Sequence, residues 1–355
     1  MPFLRAELGF SYTVAALHFS AISVGVIVAG CLGDRVIART GRQRAVWLGF
    51  MGVSVGIGLI LSSHFVAGTI CGMLMIGFCS SFIGQSCDST FTEHLPSERT
   101  VAISEVNVVA SLSCMMAPAA IGSAVSSGTN WRVPLIVALV AYAVAWYRCK
   151  GVVIPPAVSR EDRHDADRLT PAYWAYWCVI LLACAAEWSI IFWSTEFLIH
   201  AGNMARGAAC TAVSAFFASM LLGRVMGTRL ASKYDTTKLL PLFAFTALTG
   251  FLMFWILRPV PLMVSGLFLT GLGISNLYPF TLSAALGLNA KNAPRATSRM
   301  GIAGGASGLF GPLLLGCLAD THGIVVAYAA VAAILALMLV AIFVANRIAG
   351  NQRPR

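Results

Sequence analysis

Glu187 is the side chain with the sharpest chemical demand in this sequence. It stands about 15 residues into the apolar run Ala172–Ile199, where an unpartnered charge costs roughly 2.5–3.5 kcal/mol. A carboxylate held there needs a cation or a watery cavity, and it can carry a proton by alternating between charged and neutral forms. Its helical neighbours at i+4, i+7 and i+8 are Ile191, Ser194 and Thr195, a face polar enough to border a cavity. Glu196 lies nine residues on, on the opposite side of the helix and toward its outer end. It reads as a rim residue that cannot share a site with Glu187. Gln85 and Asp88 sit three apart on one face of another apolar run. Asn276, Tyr278 and Pro279 interrupt a third, where proline frees a backbone carbonyl.

These groups suit reversible binding of a proton or a small polar solute. They do not suit bond breaking. The six histidines are scattered, the Glu93-His94 pair stands alone, and the ten cysteines include no C-x-x-C spacing. Neither a catalytic set, nor a metal centre, nor a cofactor is therefore expected. No Walker A pattern occurs, so the chain shows no ATP-driven motor.

The elements that must position these side chains follow from composition. Of 355 residues, 58% are hydrophobic and 11% charged, with a mean hydropathy of +0.81. A soluble protein carries roughly 25% charged residues, so a water-exposed globule and a disordered chain are both excluded. The net charge of +10 is dispersed in small groups between apolar segments, which excludes a stripe that could follow a nucleic-acid backbone. A bilayer crossing takes about 20 apolar residues as helix. Eleven segments qualify: Ser11–Leu32, Ala45–Leu61, Phe65–Phe91, Val101–Ser123, Val133–Tyr147, Ala172–Ile199, Ala208–Leu230, Leu239–Ile256, Leu262–Leu286, Gly301–Leu318 and Ile324–Ala345. The fifth is short.

Counting Lys and Arg in alternate connections puts 20 of the 24 on one side, which the positive-inside rule makes cytoplasmic. The C-terminus then lies inside and the N-terminus outside. The stretch from Arg148 to Thr170 is long and polar, with Pro155-Pro156 and the run Arg160-Glu161-Asp162-Arg163-His164-Asp165. It reads as a solvated linker. The expected organisation is an all-α integral membrane protein of two bundles: five helices in residues 1–147, a cytoplasmic linker 148–170, six helices in 171–346, and a tail 347–355.

Three sequence features carry a resemblance. The first cytoplasmic connection holds Gly30, Gly33, Asp34 and Arg35, then Gly41-Arg42-Gln43-Arg44; Glu93, followed by Arg99, ends the third segment; Gly223-Arg224-Val225-Met226-Gly227 sits in the second half. The first resembles the signature G-x-L-a-D-R-x-G-R-R of the major facilitator superfamily, with four residues too many between Asp-Arg and Gly-Arg. Aligned from Gly41, the family's aspartate falls on Ala38, so two registers stay open. Glu93 looks like the acid that pairs with Arg42, and the Gly223–Gly227 stretch like a degenerate second copy. Pro118, in Ala117-Pro118-Ala119-Ala120-Ile121-Gly122, weakly echoes a pattern of proton-coupled drug antiporters.

The resemblance implies two helical bundles of major facilitator type. It implies a central cavity lined by the helices bearing Gln85, Asp88, Glu187, Asn276 and Tyr278, and a conformational motif of Gly30, Asp34, Arg35, Gly41, Arg42, Arg44, Glu93, Arg99, Arg224 and Gly227. If Gly41 joins the family's second and third helices, its first helix has no counterpart here. A start encoded upstream and a natural eleven-helix form both remain open. The expected activity is secondary active transport of a small solute by alternating access, with proton-coupled export ahead of uptake by symport. A non-transporting remnant and, last, a membrane-embedded enzyme are the other readings. Expected partners are the small-molecule substrate, protons and the lipid bilayer of the cell membrane, the inner one in a bacterium. No nucleic acid and no second copy are expected.

Overall fold

The computed structural model describes residues 1–94, 99–156, 169–288 and 293–352. Among them every regular element is a helix: α1 (Pro2–Leu8), α2 (Tyr12–Thr40), α3 (Arg42–Ser62), α4 (Val66–His94), α5 (Arg99–Ser126), α6 (Val133–Cys149), α7 (Pro171–Ala201), α8 (Arg206–Ala212), α9 (Ser214–Ala231), α10 (Thr236–Ile256), α11 (Val260–Ile274), α12 (Leu277–Gly287), α13 (Ala293–His322), α14 (Ile324–Ala327) and α15 (Ala329–Gln352). A backbone in hydrocarbon must satisfy its own hydrogen bonds, and helices do this within one segment. Among the described residues, ten spans are long and apolar enough to cross a membrane. The eleventh, α6, is apolar but has 17 residues, about 26 Å of helix against a hydrocarbon core of ~30 Å.

Local signals set the helix ends. Ser11 caps α2 by accepting from the Val14 amide, Thr170 caps α7 by accepting from Tyr173, and Asp235 caps α10 by accepting from Thr237. Pro171 occupies the first turn of α7, where its missing N–H costs nothing. Two expected single segments are interrupted. The run 208–230 divides at Val213, whose amide reaches back three residues to the Cys210 carbonyl. The run 262–286 divides at Ser275-Asn276, where Asn276 leaves helical geometry with φ −114 and ψ 2. Pro279 supplies the reason, since it has no N–H to bond the Ser275 carbonyl one turn back.

Contacts divide the chain into two units, residues 3–110 with 124–163, and residues 111–123 with 164–355. In the first, α4 packs closely on both α2 and α3. Small residues allow this: a side chain on Gly77 would run into the Ile22 backbone, and one on Gly25 into the Phe78 amide, so the axes of α2 and α4 approach to backbone contact. Gly56 and Gly72 serve α3 and α4 in the same way, whereas Gly301 faces open space. Helix α6 packs on α3 and has no buried residue. In the second unit, α7 runs against α12, α13 and α15, and α11 packs against α9 and α10. Among the described residues, five apolar helices precede residue 157 and six spans follow residue 169, which fits the expected helix count of five plus six, while residues 111–123 of α5 group with the second unit rather than the first.

Candidate functional site

The second unit gathers a polar cluster around Glu187. This residue is half-buried, and no hydrogen bond to it forms among the described residues. The charge of Arg224, on α9, acts on it. The Arg224 guanidinium in turn donates a 2.8 Å hydrogen bond to Ser111 Oγ, on the part of α5 that belongs to this unit. Cys114, one helical turn from Ser111, lies in the field of both Arg224 and Glu187. Cys184, one turn before Glu187, interacts with Glu187 and Tyr278 and hydrogen-bonds Ser307 of α13. Five elements thus place an acid, a base, hydroxyls and thiols together. An acid and a base that interact without touching can both stay available to a solute.

The polar face expected around Glu187 is arranged differently from its sequence reading. Ser194 is fully buried and its hydroxyl donates to the Ile190 carbonyl at 2.6 Å. Thr195 is buried as well. Serine within a helix satisfies its hydroxyl on the preceding turn, so this face closes against neighbouring helices. Arg224 itself, near a helix end by sequence, bonds Ser111 of α5.

Asn276 has another occupation. It is buried, and its Nδ2 donates to the Gly223 carbonyl at 2.6 Å and to Ser275 Oγ at 2.8 Å. Gly227 lies directly against its side-chain amide. The Gly223–Gly227 pair therefore seats the break between α11 and α12 on α9. Tyr278, just beyond the break, is half-buried and stays with the Glu187 cluster. In the first unit Gln85 is half-buried and its side-chain oxygen lies over Gly33 of α2. The side chains of Asp88, Asp34 and Arg99 lie outside the described residues.

The residues expected to form a conformational motif take their setting from helix α2, which runs without interruption to Thr40. Gly30 and Arg35 lie on it, both exposed. The four additional residues between Asp34-Arg35 and Gly41-Arg42 extend α2 by about one turn. The whole connection to α3 is Gly41, with φ 83 and ψ 149, a backbone region that only glycine enters without strain. Arg42 then opens α3, buried, with Nη2 2.9 Å from Glu93 Oε2 at the end of α4. The Pro155 and Pro156 carbonyls accept from Arg42 Nη1 at 3.4 and 3.5 Å, and Gln43 Nε2 donates to Val152 O at 3.1 Å. Three stretches far apart in sequence thus meet on one arginine: the α2–α3 turn, the end of α4, and the chain leaving α6.

The chain matches known proteins along most of its length. The family model described as Major Facilitator Superfamily matches residues 1–286. The chain belongs to the major facilitator superfamily. It is thereby a membrane transporter by family, not an enzyme. A relative from Yersinia pestis, described as an uncharacterized MFS-type transporter, is 20% identical over 340 residues, covering 94% of this chain and 87% of its own. Among solved structures, the nucleoside transporter NupG aligns with a TM-score of 0.72 at 12% identity, over 98% of this chain and 92% of its own. A bacterial homologue of the human lysosomal transporter Spinster, inward-facing and unoccupied, aligns with a TM-score of 0.68 at 12% identity, over 100% of this chain and 98% of its own. At such identities these likenesses show the superfamily fold.

Three arrangements escape a reading of the sequence. Glu7 of α1 and Arg132, before α6, form a two-pronged ion pair with N···O distances of 2.6 and 2.8 Å. Trp131 Nε1 donates to the same carboxylate at 3.3 Å, and Phe3 stacks on Trp131. Glu196, read as a rim residue, is buried instead and lies 3.5 Å from exposed His200 one turn on. Fully buried His18 joins α2 to α4 through a 2.8 Å bond between Nε2 and Thr69 Oγ1. Only the i,i+4 spacing of Glu196 and His200 was visible beforehand; the other pairs lie 51 or more residues apart.

Glu7 gives a pH prediction. The hydrogen bonds from Arg132 hold its carboxyl below the ordinary value of 4.5. A depressed carboxylate stabilises fully above its unfolded value, and that stabilisation is lost as pH falls through the folded one. Amides of residues 2–8 are therefore expected to keep their hydrogen-exchange protection down to pH 4.5 and lose it only below. Glu7→Gln should remove that protection at every pH, and equal protection in both proteins would refute the pairing.

Proposed function

We propose that this protein is a proton-coupled secondary transporter in which Glu187 carries the proton and Arg224 is its counter-charge. The observation that supports this most directly is a half-buried carboxylate within a membrane-spanning helix, in the field of an arginine yet hydrogen-bonded to no described side chain. A purely structural ion pair would close on itself, because an open pair forgoes the strongest part of the attraction that offsets desolvation. Here the pair stays open and Arg224 is held by Ser111. That leaves the carboxylate free to exchange a proton or meet a polar solute as the two bundles alternate in access. The Arg42–Glu93 ion pair, with the chain after α6 hydrogen-bonded to it, serves as a latch that holds one end of the first bundle. The direction we favour is export of a small solute in exchange for protons, across the cell membrane, with the C-terminus cytoplasmic and a monomer as the working unit.

The test is flux in proteoliposomes. A panel of small solutes is screened for exchange, and the one taken is then followed with and without an imposed pH gradient. Accumulation against a concentration gradient only when the pH gradient is present is the expected result. Facilitated exchange that ignores the pH gradient would remove the proton-coupled reading. Accumulation on the proton-rich side marks export by exchange, and accumulation on the opposite side marks uptake by symport.

A further inference from the structure

A groove of about 570 Å³ lies between α3 and α6 within the first unit. From α3 it is lined by Arg44, Trp47, Leu48 and Met51, and from α6 by Tyr142 and Trp146. On each helix these positions recur at intervals of three and four, so each contributes one continuous stripe. Phe50 packs on Tyr142 with ring centroids 5.4 Å apart and closes the floor. The walls face outward: Leu48 is 44%, Met51 61% and Trp146 51% exposed. In bilayer-spanning segments such faces meet lipid rather than water.

One end of this groove is cationic. Arg44 stands at the first turn of α3, and Lys150 caps α6 one turn beyond Trp146, on the same stripe. The two helix ends are adjacent, since Gln43 reaches the Val152 carbonyl. Lys150 Nζ lies 4.4 Å from the centroid of the Tyr147 ring, beside Trp146 at the same end of α6. Neither α3 nor α6 contains any acidic residue, and the nearby Glu93 is engaged by Arg42. Both helices thus present the same order: a cation, then a tryptophan, then an apolar channel.

We infer that this groove holds a phospholipid with an anionic headgroup, one acyl chain in the channel and the phosphate between Arg44 and Lys150. The chemistry is complementary throughout. The planar guanidinium offers paired donors to phosphate oxygens while the ammonium adds a point charge. The tryptophan rings suit the boundary between headgroup and acyl chain. A zwitterionic lipid brings a positive group of its own to a site that already holds two, and so gains less. This assignment stands independently of proton coupling and of which solute is carried.

The experiment uses the full chain, purified in mild detergent and offered phosphatidylglycerol or phosphatidylcholine with identical acyl chains, with retained lipid counted by native mass spectrometry. One phosphatidylglycerol retained in preference to phosphatidylcholine is expected. Arg44→Gln should cut that preference about fivefold, and Arg44→Gln with Lys150→Gln should abolish it. Trp47→Ala with Trp146→Ala should weaken both lipids alike, and Arg229→Gln, an exposed charge of the second unit, should change nothing. Arg44→Lys, which keeps the charge, should retain most of the preference and so control for misfolding. Equal retention of the two lipids, or a preference that survives loss of both cations, would overturn the assignment.

Discussion

Glu93→Gln is expected to lower the stability of the purified protein by about 3 kcal/mol, and the double change Arg42→Gln with Glu93→Gln by clearly less. The Arg42 side chain is 2% exposed and the Glu93 side chain 12%. A guanidinium that far from water depends on its 2.9 Å contact with Glu93 Oε2, because its bonds to the Pro155 and Pro156 carbonyls are long. Removing the acid alone leaves a buried charge without a counter-ion. Removing both leaves two neutral amides, whose desolvation costs far less. The ordering of the two variants therefore says more than either size. Thermal unfolding in one detergent checks it, with Arg229→Gln as an exposed reference. A double variant as unstable as the sum of the two single changes would count against a buried ion pair. The consequence would extend beyond α3 and α4, since His94 and Gln43, beside the pair, hold the Pro156 and Val152 carbonyls of the chain leaving α6.

Hydropathy alone exposed the helices, because a bilayer punishes every unbonded backbone group and so leaves little choice of structure. What it could not expose was where a helix breaks inside an apolar run. The run around Ser275-Asn276 is long and apolar enough to pass for one span, and only Asn276, Tyr278 and Pro279 marked the break. The opposite error arose at α2. Asp34, Arg35 and Arg39 suggested a loop, yet the helix continues to Thr40, since charged residues at the basic end of a span have water to face. Gly41 is the true turn, and its positive φ is a backbone property that hydropathy does not register.

Site residues divided along similar lines. The Arg42–Glu93 contact could be anticipated from a family pattern, while the Glu7–Arg132 clamp could not. Nothing in the order of residues relates a short terminal helix to a turn 125 positions away. Asn276 shows how a polar residue in a membrane helix can be either a solute contact or an interhelical bond. Its short bond to the Gly223 carbonyl decides for the second. Arg224 shows the reverse: a cation that could simply have snorkelled to the surface bonds Ser111 and acts on Glu187.

Replacing Glu187 by glutamine is expected to reduce pH-gradient-driven accumulation of the solute by about tenfold or more, with solute exchange at equilibrium largely kept. Glutamine preserves the volume and most of the polarity of the side chain but has no proton to release, so it separates carriage of the proton from the shape of the cavity. The structure also makes the structural alternative testable. Glu187 forms no hydrogen bond among the described residues and is only half-buried, so the exchange breaks no bond and opens no void. Its thermal midpoint should match that of the unaltered protein. A marked loss of stability with coupling unchanged would instead assign Glu187 to a structural pair with Arg224. Arg224 supplies the second arm. If its charge acts on the carboxylate through space, Arg224→Lys should retain coupling that Arg224→Gln loses, even though both disturb the 2.8 Å bond to Ser111. If that bond were what mattered, Ser111→Ala would match Arg224→Gln in its effect and lysine would rescue nothing.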